Sequence, residues 1–201
     1  MDAPYILQIV GYKNAGKTTL LCALARRLSA QGIRIGTIKH DVHGFDMDRE
    51  NSDTWRHQEA GALVTAIASP EATAVLERRS RSLNSLLEQL KRHPCDPDGP
   101  PLDLILVEGF KREPYPKLVL LRSAEERDLP GELANVAAIG LRFPAAELGD
   151  HDVSMQGAGS DGQENMAGST AVPLFQADDR DMIAEWLREC IQRHRKGARP
   201  C

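Results

Sequence analysis

Hydrophobic residues fall along this chain in short unbroken runs and in helical repeats, and the two alternate from the N-terminus. "YILQIV" (residues 5–10) is a compact apolar run rich in Ile and Val, which predicts a buried strand. "TTLLCALARRLSAQG" then sets Leu20, Leu21, Leu24, Ala25 and Leu28 at helical spacing and stops at Gly32. "IRIGTIK" (33–39) predicts the next strand. Strand, helix and strand in so short a stretch imply a parallel pair joined by a right-handed crossover.

Residues 40–61 are polar and carry no strong period, which predicts a long functional loop ending in a short helix around Asp53 to Glu59. "ALVTAIAS" and "TAVLERR" flank the turn-forming "SPEA" and suggest a hairpin. "SLNSLLEQLKR" reads as an amphipathic helix before the proline-rich "HPCDPDGPP". The unbroken apolar content of "LDLILVEG" (102–109) marks a central strand. "PKLVLLR", "NVAAIG" and "AVPLF" supply three more strands, and "DDRDMIAEWLRECIQRHRK" closes the chain as a helix. Asp178 or Asp179 is its expected N-cap, and its basic last turns suit the helix dipole. Residues 149–170 hold almost no large apolar side chains and are expected to be a disordered insertion. The expected architecture is one α/β domain over residues 1–201. It has three layers, a mostly parallel sheet and an antiparallel hairpin or edge.

Composition narrows this further. The chain has 201 residues, 41% hydrophobic and 27% charged, as in ordinary globular proteins. A net charge of −4 argues against nucleic acid as the main partner. No apolar stretch approaches the ~20 residues a membrane span needs, and "MDAPYILQIV" lacks the basic start of a signal peptide. Cys22, Cys95, Cys190 and Cys201 form no CxxC pair and read as reduced thiols of a cytoplasmic protein.

The chemistry begins at "GYKNAGKTTL". Gly11, Gly16, Lys17 and Thr18 satisfy G-x-x-x-x-G-K-[ST], directly after a strand and at the start of a helix. Such glycines let successive backbone N–H groups turn inward onto phosphate oxygens. The helix N-terminus adds its dipole, and the lysine reaches the β- and γ-phosphates. Thr18 offers a hydroxyl to Mg²⁺. An acidic residue at the end of a neighbouring strand is then needed for the metal shell, and Glu108 at the end of "LDLILVEG" fits. Asp103, at the other end of that strand, reads as a solvated strand start.

"TIKHDVHGFDMD" leaves its strand on the same side as the phosphate loop, because parallel strands present their C-terminal ends together. Lys39, His40, Asp41, Asp46 and Asp48 are therefore candidates to surround a nucleotide or an adjoining ligand, with Asp41 near the metal's outer shell. His40 and His43 form an HxxH pair without a visible third ligand. The basic "RHRKGARPC" reads as a solvated helix end. No N/T-K-x-D motif for reading guanine occurs, and no glutamine is evidently placed to orient an attacking water. The residues thus point to phosphate binding and leave the base open.

The order "GYKNAGKTTL", "TIKHDVHGFDMD…DTWRHQEAGA", "LDLILVEGFK" resembles the molybdopterin-guanine dinucleotide biosynthesis protein B (MobB) family over most of residues 5–140. The resemblance implies a phosphate-loop nucleotide-binding fold and a cytoplasmic homodimer that binds GTP and Mg²⁺ and is at most a slow GTPase. It implies an adaptor that assists the guanylyltransferase joining GMP to molybdopterin, and helps to deliver the guanine dinucleotide cofactor. Carried over, Gly11, Asn14, Ala15, Gly16, Lys17, Thr18 and Thr19 would cradle phosphates. Thr18 and Glu108 would hold Mg²⁺, and the loop from Lys39 to Asp48 would face the nucleotide or the pterin. The chain departs from the family after "NVAAIG": members often carry an Asp there, and here "LRFP" follows.

Two alternatives share the phosphate loop. A small-molecule kinase would want a lid bearing arginines, and residues 149–170 contain none. A GTP-driven metallochaperone would want a His-rich tract or a Cys/His cluster, which HxxH alone does not supply.

Overall fold

The computed structural model describes residues 3–41, 44, 48–92, 99–148 and 172–197. They fall into two compact units: Met1–His40 with Leu86–Cys201, and Asp41–Ser85. The expected insertion at 149–170 lies outside the described residues, as do His43, Asp46, His93 and Cys95.

The larger unit is built on six parallel strands. These are β1 (Tyr5–Val10), β2 (Ile35–Lys39), β5 (Leu104–Glu108), β6 (Lys117–Leu121), β7 (Val136–Leu141) and β8 (Leu174–Gln176). Their order is β2-β5-β1-β6-β7-β8, with every neighbouring pair parallel. Strands buried on both faces need apolar side chains at successive positions, and this is why they read as unbroken runs. Leu118 and Leu120 enter one core cluster while Val119 and Leu121 enter the other. The first cluster lies under helices α1 (Lys17–Ser29) and α4 (Arg180–Arg195), through Leu20, Leu24, Leu28, Ile183 and Leu187. On the opposite face, Gly36 meets Leu90 of helix α3 (Leu83–Lys91), which supplies the third layer beside β2. Over β6 and β7 that face is closed by Leu129 and Leu148, which lie in short 3₁₀ turns.

The smaller unit holds α2 (Asp53–Glu59) and the antiparallel strands β3 (Val64–Ala68) and β4 (Thr73–Glu77). The short helix falls where expected, started by Ser52, whose hydroxyl accepts from the backbone N–H of Trp55 at 3.1 Å. The hairpin forms a two-stranded sheet of its own. It is not an edge of the main sheet, whose strands are all parallel.

Three local expectations need correction. Asp103 is not a solvated strand start: it is 8% exposed and receives the backbone N–H of Arg34 at 2.8 Å and the guanidinium groups of Arg34 and Arg195. Burial works against its charge, but the hydrogen bonds from Arg34 and Arg195 outweigh it and hold the carboxyl below its ordinary range. The basic end of α4 is accordingly not wholly solvated, since Arg195 and His194 tie it back to β5 and to the carbonyl of Ala3. The thiols are not uniformly reduced either: Cys22 is free, whereas Cys190 is disulfide-bonded. At α4 the cap is Asp179, which accepts from the N–H of Met182.

Lys117, which opens β6, is fully buried, and its ammonium donates to the carbonyls of Glu113 and Tyr115. Desolvation brings its pKa down to about 8. Between that value and the ordinary 10.5 the unfolded chain binds more protons than the folded one, so this lysine makes stability rise with pH across that window. The expected result is that wild type gains stability relative to Lys117→Met between pH 8 and pH 10. Denaturant melts of both proteins at a series of pH values check it.

Candidate functional site: the phosphate loop

The loop between β1 and α1 is formed by Gly11–Gly16, and backbone sterics decide which of its residues can be replaced. Gly11 has φ 151°, and a Cβ there would stand 2.6 Å from the carbonyl oxygen of Leu120. Gly16, at the N-cap of α1, has φ 84°. Gly11 thus excludes a side chain against the backbone, and at Gly16 the left-handed conformation strains one. Asn14 adopts φ 64°, Ala15 is buried in the core beneath the loop, and Thr19 is exposed in the first turn of α1. That turn holds no acidic residue and no side-chain cap, so its backbone N–H groups keep their pull on an anion.

Lys17 folds back over the loop, donating to the carbonyls of Tyr12 at 2.7 Å and Gly11 at 3.2 Å. Desolvation lowers its pKa; Glu108 works the other way, and the nearby charges of Arg122, Lys111 and Lys39 lower it further. Several cations thus share a small region with the carboxylate of Glu108. The expected consequence is that anion affinity falls at alkaline pH sooner than an ordinary lysine would allow, and a pH series of phosphate titrations reads this.

Glu108 lies where the sequence placed it, at the end of β5 and in register with Ile9 of β1 and Lys39 of β2. Thr18 Oγ1 donates towards its two carboxylate oxygens, at 2.8 and 2.9 Å. A hydroxyl and a carboxylate facing each other beside a phosphate cradle are the hard oxygen donors that suit Mg²⁺. Among the described residues no group of three or more His, Cys, Asp or Glu could hold a metal.

Lys39 ends β2, and His40 follows it with its ring stacked on Phe110 at 4.3 Å between centroids. Both are exposed, and both belong to the unit that carries the phosphate loop. Asp41 and Asp48 belong to the smaller unit. Asp48 is engaged locally, accepting from Ser52 Oγ at 2.7 Å and from the N–H of Arg49 at 2.8 Å, which fixes the approach to α2.

Four participants were not foreseen. Gln8, buried within β1, donates to the carbonyls of Gly109 and Phe110 at 3.1 and 2.6 Å and so fixes the turn just after Glu108. An amide inside an otherwise apolar strand was the signal for it. Phe110 itself sits at φ 53°, a conformation rare for a bulky residue. Arg122, paired with Glu126, donates to the carbonyl of Lys13 at 3.1 Å and braces the loop. Arg142, the first residue past β7, has its guanidinium against Gly16.

A parallel sheet, a glycine loop running into a helix, a lysine over that loop and a Thr–Glu pair at its rim define a phosphate-loop nucleoside-triphosphate-binding fold. The family model for molybdopterin guanine dinucleotide synthesis protein B matches residues 6–142, and the chain belongs to that family. It is 38% identical over 141 residues to the molybdopterin-guanine dinucleotide biosynthesis adapter protein of Haemophilus influenzae, covering 69% of this chain and 75% of that one. The probable adapter protein of Bacillus subtilis is 33% identical over 177 residues, covering 87% of this chain and 86% of its own. The crystal structure of a MobB homologue from Bacillus stearothermophilus superposes with a TM-score of 0.64 at 28% identity, over 93% of this chain and 97% of that one. No helix among the described residues is long and apolar enough to cross a membrane.

Proposed function

We propose that this chain is a GTP- and Mg²⁺-binding adapter of molybdopterin-guanine dinucleotide biosynthesis. In this reading it assists the guanylyltransferase that attaches GMP to molybdopterin, and it acts in the cytoplasm. The observation that carries the reading is the Lys17, Thr18 and Glu108 arrangement around the phosphate loop, in a chain of this family. The backbone of Gly11 to Thr19 would hold the phosphates, with Lys17 on their outer oxygens. Thr18 and Glu108 would hold Mg²⁺, which neutralises phosphate charge. Lys39 and His40, at the end of β2 beside the phosphate loop, would line the approach of the nucleotide or the pterin. Hydrolysis is slow at most, because such an adapter works by holding its ligand. The nucleotide-binding domain takes in residues 1–201, with residues 41–85 inserted in its sequence. A pull-down of the guanylyltransferase with and without GTP tests the adapter role. Nucleotide-dependent retention supports it, and identical recovery without nucleotide counts against it.

In the same reading the chain forms a homodimer through the hairpin. A two-stranded ribbon is marginal alone, yet this one exposes Val64 at 55% and Val75 at 53% on one face, and Ile67 at 52% on the other. A second copy of the same hairpin is the occupant that matches an apolar surface repeated in every chain. Val64→Asp combined with Val75→Asp is expected to give monomers at concentrations where wild type sediments as a dimer. A double variant that stays dimeric removes the hairpin from the interface.

A further inference from the structure

The cations around the phosphate loop are not equivalent. Arg122 is neutralised by Glu126, and Lys17 is satisfied by two loop carbonyls. Arg142 forms no ion pair with a carboxylate among the described residues. It is exposed, and it lies directly against the residue that opens α1. A Cβ built on Gly16 would collide with its Nη1, with Cζ 3.3 Å and Cδ 3.7 Å away. A guanidinium at the positive end of a helix dipole is repelled there unless an anion sits between them.

Strand order says which part of a ligand it would meet. Glu108 ends β5, on one side of β1, and with Thr18 would hold the Mg²⁺ that accompanies the terminal phosphates. Arg142 follows β7, which lies beyond β6 on the other side of β1. A nucleotide lying across the loop with its terminal phosphates towards Glu108 runs its nucleoside end towards Arg142. Its backbone is fixed there, since the Arg142 N–H donates to the carbonyl of Leu121 at 3.0 Å.

We propose that Arg142 is a phosphate-contacting residue of this site, closing the nucleoside side of the cradle with a charge-assisted contact to the α- and β-phosphates. The inference rests on the nucleotide-binding reading and adds a ligand contact that the phosphate-loop pattern does not contain. It also gives "LRFP", the stretch that follows where family members often carry an Asp, a role as a phosphate contact.

The test is calorimetric titration of wild type, Arg142→Ala and Arg142→Lys with GTP–Mg²⁺ and with inorganic tripolyphosphate–Mg²⁺, with Lys17→Ala as control. Arg142→Ala is expected to weaken both ligands alike, by about 10- to 100-fold, the range of one charge-assisted hydrogen bond. Arg142→Lys should recover part of the loss for both, because the charge is kept and the fork is not. Unchanged affinities in Arg142→Ala overturn the proposal, and so does a loss confined to GTP, which would make this a base contact. A wild type that binds neither ligand overturns the nucleotide reading and this inference together. A thermal melt confirms that each exposed-site variant is folded.

Discussion

Lys17→Ala is expected to abolish measurable nucleotide binding while leaving the fold intact. The ammonium lies within 3.2 Å of two carbonyls of the loop it must also clear for phosphate, so it is the cation best placed to move between them. Truncating one partner of a desolvated, hydrogen-bonded charge pair commonly costs on the order of 100-fold or more in affinity. The side chain contributes little to the core, which is built here from Leu20, Leu24 and Leu28 one turn and more further along α1. Equilibrium dialysis with GTP, beside a thermal melt, checks both halves. Retained affinity would mean that the loop does not hold phosphate.

Glu108→Gln is expected to separate metal from nucleotide. The carboxylate faces Thr18 Oγ1 through both oxygens, and an amide keeps the shape without the charge that Mg²⁺ requires. Loss of a carboxylate that holds or orients a metal typically costs about 10- to 100-fold in metal affinity. Glu108 is also the anion that offsets the cations around Lys17. Removing it should therefore leave metal-free nucleotide binding unchanged or stronger. The prediction is thus a split: affinity with Mg²⁺ falls, affinity in EDTA does not. A parallel fall in both would assign Glu108 a structural role only.

The fold was largely legible because parallel strands covered on both faces must be apolar at successive positions. "YILQIV", "LDLILVEG" and "PKLVLLR" are such runs, and they became β1, β5 and β6. Glu108 could be placed from its position at the end of one run. Asp103 could not, because what decides its burial is Arg34, just before β2, and Arg195 of α4, brought to it by the sheet and not by the sequence. Arg142 was hidden for the same reason: the contact with Gly16 exists only once β7 takes its place beside β6. The hairpin was visible in "SPEA" and its flanks, but its separation from the main sheet is a matter of pairing that local pattern does not carry.

The measurement that tests the central claim most directly is calorimetric titration of the full chain with GTP and with ATP, each with Mg²⁺. A GTP-binding adapter should bind GTP through its phosphate loop and prefer it clearly over ATP. Equal affinity, preference for ATP or absence of binding to either would contradict the account.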